Sequence, residues 1–270
     1  MKHVELLGIA GAGKSTVAAE LRSRNQSIRS LTDLHGTVVA KLLFPGPASR
    51  LGDRLPPRAL SYLARISGLS DRAVNFFSLK YPDMLPLTAR YVRKYTNDTG
   101  RIDYVTGSTL DLVEKFGAVD EYSGLVRDAV STTGTASPAD GPTLLIDEGF
   151  AFAAAAVLHP PQNSRPLLPE DLREYAAAVP VPDVIVFVRA SPEVCTTRMC
   201  QRKSGVPASW EHLDSGSYVD FAAEAAVVAE SIAEAFESRG ARILEVKTDD
   251  QPVGRSVSEL ERALPDGTSL

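Results

Sequence analysis

The most regular feature of the chain is a set of short apolar runs without the polar alternation of a half-exposed strand. Such runs are typical of strands buried on both faces of a parallel sheet. They are HVELLGI (3–9), TLLIDEG (143–149), PDVIVFVRA (182–190) and RILEV (242–246), with SIRSLTD (27–33) as a weaker extended candidate. Helical patterns separate the runs, so the sequence predicts a doubly wound α/β protein with a parallel sheet of about five strands.

Amphipathic and alanine-rich segments predict the helices that flank this sheet. Residues 36–140 are predicted to be mostly helical, with GSTLDLVEKFGAVDEYSGLVRDAV (107–130) divided into two helices. Prolines and glycines predict a loop over 44–58, and small polar residues predict a flexible connection over 131–142. The other predicted helices are KSTVAAELRSRN (14–25), DRAVNFFSLKY (71–81), PLTARYVRKYT (86–96), LPEDLREYAAAV (168–179), SPEVCTTRMCQRK (191–203) and SYVDFAAEAAVVAESIAEAFESRG (217–240).

Composition and charge narrow the class of protein. The 270 residues are 44% hydrophobic and 23% charged, as in an ordinary globular protein. The formal net charge of -5 argues against nucleic-acid binding by bulk electrostatics. No apolar run approaches the roughly 20 residues that span a bilayer, so we expect no membrane association. The N-terminal apolar run continues into a glycine motif that signal cleavage would destroy, which favours a cytoplasmic location.

The cysteines and histidines give no sign of a disulfide or a zinc site. Cys195 and Cys200 are five residues apart in one predicted helix, a poor spacing for pairing, so we expect two buried, inert thiols. The four histidines are scattered, without the spacing of metal ligands.

The stretch GIAGAGKST (8–16) matches G-x-x-x-x-G-K-[ST] at every defined position, between a predicted strand and a predicted helix. Glycines let the backbone wrap around phosphate oxygens, and N–H groups at a helix start attract anions. Lys14 is expected to bind the β- and γ-phosphates of a nucleotide and Ser15 to bind Mg²⁺. The other predicted phosphate-binding residues are Gly8, Gly11, Ala12, Gly13 and Thr16. The alternative is a glycine-rich turn between strand and helix that binds no ligand. In that case Lys14 and Ser15 would match the motif only by chance.

A second element of such a site is an acid at the end of a neighbouring strand, which holds the metal through water. Asp147 and Glu148 directly follow the apolar residues of the run at 143–149. We assign the metal role to Asp147, and Glu148 is a second group near the metal or a catalytic base. The alternative is that these acids only cap the helix predicted over FAFAAAAVL (150–158).

The third element is the helix predicted at 191–203. Ser191 and Pro192 suit its N-cap and first position. Arg198 and Arg202 are four residues apart, so they are predicted to share one helix face. A glycine-containing loop follows, which suggests a mobile cationic flap that closes on the transferring phosphate and excludes water. The alternative is an ordinary solvated basic face.

These elements, in this order, resemble the P-loop nucleoside and nucleotide kinases, the thymidylate kinase and deoxynucleoside kinase group in particular. The resemblance covers residues 4–24, 144–150, 182–203 and 242–253. It implies a three-layer P-loop NTPase fold with a helical acceptor-binding region at 36–140 and a lid at 198–212, in which Arg198 and Arg202 are the lid arginines. It also implies that Thr248, Asp249 and Asp250 form a loop beside the adenine of ATP.

The chain departs from the family at the acceptor side. The acid–arginine pair of the family appears here as Asp147-Glu148-Gly149, without the arginine, and residues 36–140 match no known substrate-binding pattern. By position Asp33 is the match to the family's catalytic base, although an acid there is equally typical of a loop turn. Candidates for holding an acceptor phosphate are Arg90, Arg93 and Arg101. The aromatic residues Phe76, Phe77, Tyr91 and Tyr95 could stack on a ring, but their helical spacing is more typical of a core.

The sequence therefore predicts one domain that transfers the γ-phosphate of MgATP to a hydroxyl or phosphate of a nucleoside, nucleotide or related metabolite. The partner is then a small-molecule acceptor, and the helix at 217–240 is apolar enough for a homodimer interface. The alternative is a P-loop ATPase or GTPase that acts as a switch, although no N-K-x-D-type guanine motif occurs. A degenerate kinase is disfavoured because Lys14, Ser15 and Asp147 are all present.

Overall fold

The computed structural model describes residues 2–43, 55–96, 99–133, 143–159, 167–203, 205–207, 210, 213–249 and 253–264. The loop predicted at 44–58 and the connection predicted at 131–142 lie largely outside these residues, as do several residues of the segment 198–212. Within the described residues, no helix is both long and apolar enough to cross a membrane.

The centre of the fold is one sheet in which all the paired strands are parallel. The strands are β1 (Lys2–Leu7), β2 (Ile28–Ser30), β3 (Thr143–Ile146), β4 (Val184–Arg189) and β5 (Arg242–Lys247). Their order is β2-β3-β1-β4-β5. The β1 strand pairs with β3 from Lys2 opposite Thr143 and with β4 from Val4 opposite Val184. Each predicted apolar run therefore contains a strand of the sheet, and the α/β prediction is confirmed.

Helices flank the sheet, which is compatible with a three-layer α/β fold. They are α1 (Lys14–Arg24), α2 (Leu31–Leu43), α3 (Pro57–Ile66), α4 (Leu69–Lys80), α5 (Met84–Tyr95), α6 (Thr99–Thr133), α7 (Phe150–Leu158), α8 (Pro169–Ala178), α9 (Pro192–Cys200), α10 (Tyr218–Glu237) and α11 (Val253–Ala263). The helices α1 and α11 pack together, while α7 packs against β1, α8 and α10. The side chains between these groups form one apolar core around β1, β3 and β4.

The extended segment predicted at 27–33 is a strand only as far as Ser30. Helix α2 begins at Leu31, and Leu31, His35 and Val38 are buried on one side of it. That spacing of three to four residues is helical, so the extended prediction was wrong from Leu31 onward.

The long segment predicted as two helices is a single helix, α6, of 35 residues. Glycines within the segment suggested a break, but Gly117 has a packing role instead. A Cβ at Gly117 would lie 2.4 Å from the carbonyl oxygen of Ala73 on α4, so the missing side chain lets the two helices approach closely. The division of this helix was therefore wrong, and the reason is tertiary contact rather than local preference.

The two cysteines both lie on α9 and are free, as expected, but only one is buried. Burial raises the pKa of the Cys195 thiol to about 11, which suits an inert thiol. Cys200 is exposed at the last residue of the helix, so its predicted burial was wrong.

Candidate functional site

Residues 8–15, which comprise the connection between β1 and α1 and the first two residues of α1, are called the glycine loop below. Gly8, Gly11 and Gly13 all have positive φ values, of 147°, 87° and 96°. A Cβ at Gly8 would lie 2.3 Å from the carbonyl oxygen of Val188, and one at Gly11 would lie 2.3 Å from that of Cys195. The first two glycines are thus required both by torsion and by close backbone packing. The loop is held tightly between the ends of β1, β4 and α9.

The glycine loop ends at α1, whose N-cap is Gly13. No acidic residue occupies the first turn of α1, and Ser15 and Thr16 are exposed there. The positive end of the helix dipole is therefore not offset by a carboxylate of its own first turn. This arrangement is suited to an anion.

Lys14 folds back over the loop. Its Nζ donates to the carbonyl oxygens of Gly8 at 2.7 Å and Ile9 at 3.1 Å, and it lies 5.0 Å from the ring centroid of Phe152. Burial lowers the pKa of Lys14 to about 8, while the nearby carboxylates of Asp147 and Glu148 act in the opposite direction. At neutral pH the ammonium group is therefore still mainly charged and faces the acids that follow β3.

The segment after β5 is tied to the glycine loop through one buried threonine. Thr248 Oγ1 donates to the carbonyl oxygen of Ala12 at 2.7 Å. Arg198 in turn donates to Thr248, from Nη1 to Oγ1 at 3.0 Å and from Nη2 to the carbonyl oxygen at 2.6 Å. The structure thus places Arg198 beside the glycine loop, next to the segment that was predicted to border adenine. The guanidinium of Arg198 thus holds Thr248, which in turn contacts the glycine loop at Ala12.

Asp249, which was predicted to bind the cofactor, has a structural contact. Both of its carboxylate oxygens accept the backbone N–H of Ser191, at 2.9 and 3.1 Å. The hydroxyl of Ser191 accepts from the N–H of Val194 and caps α9, as predicted. Asp250 lies outside the described residues.

Arg198 and Arg202 do not share a helix face, so that prediction was wrong. Helix α9 ends at Cys200, and Arg202 follows in a turn in which its N–H donates to the carbonyl oxygen of Met199. Gly205, with φ of 71°, continues this turn. Arg202 is exposed, and its side chain lines a cavity together with Lys14 and Ser15. Arg198 therefore contacts Thr248 after β5, whereas Arg202 lines the cavity at the glycine loop.

The residues after β3 place two carboxylates, those of Asp147 and Glu148, near Lys14 of the glycine loop. Asp147 Oδ1 is buried and has no hydrogen-bond partner. The carboxylates of Asp147 and Glu148 both act to raise the pKa of Lys14, so they lie close to the glycine loop. No group of three or more His, Cys, Asp or Glu side chains among the described residues is arranged to hold a metal by itself. A single aspartate and a serine hydroxyl suffice when phosphate oxygens complete the coordination of Mg²⁺, so the residues present fit MgATP.

Asp33 lies in the first turn of α2, not in a loop. Its Oδ2 accepts the hydroxyl of Ser30 at 2.6 Å and lies 3.7 Å from Nη1 of Arg22. The carboxylate is half exposed and lines a cavity. It is held by a serine and an arginine at the edge of this cavity.

Two cavities lie at the carboxyl ends of the strands. The glycine-loop cavity, of about 440 Å³, is lined by residues 7–11 and 13–15 together with α7, α10, Arg202, residues 205–207 and Trp210. The α2–α6 cavity, of about 600 Å³, is lined by the start of α2, by residues of α6 between Tyr104 and Lys115, and by the end of β3. Four residues line both cavities: Tyr104, Glu148, Phe152 and Ala156. The cavities therefore meet at the acid that follows Asp147.

Sequence reasoning missed most of the aromatic wall of the glycine-loop cavity. Trp210 and Phe221 contact each other edge to face at 4.8 Å, and His159 stacks on Phe221 at 5.4 Å. Burial lowers the pKa of His159. Phe152 lies four residues after Glu148, and Trp210 is the only tryptophan of the chain, but neither position forms a recognisable pattern with the glycine motif.

The arginines proposed to hold an acceptor phosphate are not brought to either cavity. Arg90 lies on α5 and pairs with Glu174 at 2.5 Å, and Arg93 on the same helix lines neither cavity. The side chain of Arg101 lies outside the described residues. The aromatic residues Phe77, Tyr91 and Tyr95 are buried in the core, as their helical spacing indicated, and Phe76 is half-buried.

Comparison with models of known protein families finds no match, and comparison with curated proteins finds no relative.

Proposed function

We propose that the protein is a small-molecule kinase that transfers the γ-phosphate of MgATP to a hydroxyl or phosphate of a nucleoside, nucleotide or related metabolite. One observation carries this proposal: the glycine-loop cavity and the α2–α6 cavity meet at Glu148. A transferase needs adjoining sites for donor and acceptor, whereas a switch that only hydrolyses its nucleotide needs one. The P-loop NTPase fold, the acceptor-binding region at 36–140 and the lid at 198–212 are parts of this proposal.

On the donor side, the backbone of the glycine loop and the start of α1 would hold the phosphates. Lys14 would leave the carbonyl oxygens of Gly8 and Ile9 and bind phosphate oxygens instead. Ser15 and Asp147 would hold Mg²⁺, which neutralises charge on the phosphates when it is bound. Arg202 lines the same cavity and would add positive charge from the lid.

On the acceptor side, Glu148 is the best-placed base because it lines both cavities. The hydroxyl oxygen of the acceptor would form a bond to the γ-phosphorus as the bond between that phosphorus and ADP breaks. The hydroxyl proton would pass to the Glu148 carboxylate and then to water. Asp33 lines only the α2–α6 cavity and would orient the acceptor through a hydrogen bond.

Mass spectrometry of the products tests the proposal. The protein is incubated with MgATP and a mixed panel of nucleosides, nucleoside monophosphates, sugars and amino sugars, with Lys14→Ala as the matched blank. A phosphorylated compound that is absent from the blank supports the kinase and names the acceptor class. Formation of ADP without any phosphorylated acceptor would contradict it and favour an ATPase or switch.

A further inference from the structure

The charges on the wall of the α2–α6 cavity bear on the chemistry of the acceptor, provided that this cavity is the acceptor site of the proposed kinase. Among its described lining residues, four carboxylates face two cations. The carboxylates belong to Asp33, Asp111, Asp147 and Glu148, and the cations to Arg22 and Lys115. Among these side chains the wall carries two more negative than positive charges (four minus two), and the Lys14 ammonium group of the glycine-loop cavity lies near two of the acids, Asp147 and Glu148.

Both cations of this wall already have a carboxylate partner. Nη1 of Arg22 lies 3.7 Å from Oδ2 of Asp33, and Nζ of Lys115 lies 2.7 Å from Oδ2 of Asp111. An acceptor phosphate would need to break one of these pairs and would then lie beside the carboxylate that lost its cation. A nucleoside monophosphate is normally held by arginines that are free to form bidentate contacts. The described wall offers no such arginine.

The rest of the wall suits a compact molecule that carries hydroxyl groups. The hydroxyl side chains that line the cavity are those of Ser30, Thr32, Ser108 and Thr109. Tyr104 and Phe152 add aromatic surface at the junction with the glycine-loop cavity. A volume of about 600 Å³ lies within the usual range for small-molecule sites and leaves room for a molecule of one or two rings.

We infer that the acceptor is a phosphate-free, polyhydroxylated molecule that carries at least one amine. Its ammonium group binds among the acids of the α2–α6 cavity, with Asp111 as a contact on α6. One of its hydroxyls points toward Glu148 and receives the phosphate. The exposed carboxylate of Asp111 is suited to this contact because, among the residues that the structure describes, its one ion pair is with Lys115.

A binding experiment tests this inference without requiring turnover. The full chain is titrated calorimetrically, in the presence of Mg²⁺ and a non-hydrolysable ATP analogue, with streptamine, scyllo-inositol and thymidine monophosphate. Streptamine differs from scyllo-inositol only in two amines that replace hydroxyls. The difference in affinity between these two compounds therefore measures the contribution of the ammonium groups. We expect streptamine to bind at least about tenfold more tightly than either of the others, since hydrogen bonds to charged groups have this strength.

Two substitutions test whether the preference for streptamine arises at Asp111. Asp111→Asn should reduce streptamine affinity roughly tenfold and leave scyllo-inositol unchanged, because it removes a charge and releases Lys115 from its partner. Asp71→Asn, on the exposed first turn of α4 and away from the cavity, is the matched control and should change neither. Tighter binding of thymidine monophosphate, no preference for streptamine, or no streptamine binding would overturn the inference.

The same compounds separate this inference from the proposed function. Phosphorylation of thymidine monophosphate but not streptamine, detected by mass spectrometry with MgATP, would retain the kinase and overturn the amine-bearing acceptor. Tight streptamine binding without phosphoryl transfer to any compound would support the charge preference of the cavity and contradict the kinase.

Discussion

At the scale of single residues, Glu148 and Asp33 are the two candidates for the base of the proposed kinase, and their positions make different predictions. Glu148 lines both cavities and Asp33 lines one. We expect Glu148→Gln to lower kcat by about 10²–10⁴-fold, because general-base catalysis typically contributes this much. Asp33→Asn should mainly raise KM for the acceptor.

Steady-state kinetics with an acceptor found by the product screen measure both effects. Each variant keeps the size of the side chain and removes only its charge, so each serves as the control for the other. A loss of kcat in Asp33→Asn equal to that expected for Glu148→Gln would return the base role to Asp33, the residue favoured by the family resemblance.

His159 provides a prediction about pH. Burial lowers its pKa below the ordinary value, and Glu224 only partly opposes this. Below about pH 6.5 the unfolded chain therefore binds a proton that the folded chain does not, and the free energy of unfolding decreases as the pH falls. Replacing the imidazole by an uncharged ring in His159→Phe removes this contribution and preserves stacking on Phe221.

Urea unfolding of the wild type and of His159→Phe at pH 7.5 and pH 5.5 checks this expectation. The wild type should lose more stability between the two values than the variant. Equal losses would show that other groups account for the whole acid sensitivity.

At the scale of elements, two of the four glycines of α6, Gly107 and Gly117, lie in different surroundings. A Cβ at Gly117 would meet the carbonyl oxygen of Ala73 at 2.4 Å, whereas one at Gly107 would meet nothing within 4 Å. Gly117→Ala should therefore destabilise the protein by about 1–3 kcal/mol through overpacking. Gly107→Ala should stabilise it by about 0.5–1 kcal/mol, since alanine is the better helix former.

Chemical denaturation of these two variants is a matched comparison, because the substitution and the helix are the same. Opposite signs are the expected outcome. Destabilisation by Gly107→Ala of the same size would mean that helix α6 is bent or interrupted near residue 107.

The same helix shows why some elements could be predicted and others not. Strands such as β4 are buried on both faces, so their apolar runs are visible without knowledge of their neighbours. The glycine at position 117 is explained by α4, because the close approach of the Ala73 backbone leaves no room for a side chain, and the local sequence does not reveal this contact. The end of α9 before Arg202 similarly depends on the turn that continues to Gly205, which local helix preference did not reveal.

The candidate site also contains some features that the sequence predicts and others that it does not. The glycine loop is one continuous segment whose torsions demand glycine, so its pattern was readable in sequence. The contact of Thr248 with Ala12 joins residues 236 positions apart. Trp210, Phe221 and His159 are also distant in sequence, and each looks like an ordinary core aromatic until the fold brings them together. Sequence reasoning therefore located the glycine loop better than the α2–α6 cavity.

At the scale of the whole molecule, the parallel sheet brings the separate parts of the site to one edge. The glycine loop follows β1, Asp147 follows β3 and Thr248 follows β5. The carboxyl ends of parallel strands lie at the same edge, and chain connections diverge to either side of β1 in the order β2-β3-β1-β4-β5. Ligands of open α/β sheets usually bind at such a divergence. Both cavities lie there, independently of any particular reaction.

The fluorescence of Trp210 can report nucleotide binding at the glycine loop in the intact protein. It is the only tryptophan, its side chain is 5% exposed, and it lines the cavity of the glycine loop. If nucleotide binds at this loop, MgATP should produce a saturable change in emission intensity while the maximum stays at the short wavelength of a buried indole. Lys14→Ala should weaken or abolish the change, since the phosphates lose their cation.

The direction of any spectral shift then distinguishes two motions of the segment that carries Trp210. An unshifted maximum with altered intensity means that the indole stays buried while the cavity beside it fills, as expected of a lid that closes. A shift to longer wavelength would mean that Trp210 leaves Phe221 and enters water, so nucleotide would open this side of the molecule. No change at saturating MgATP would contradict the placement of the donor in the glycine-loop cavity.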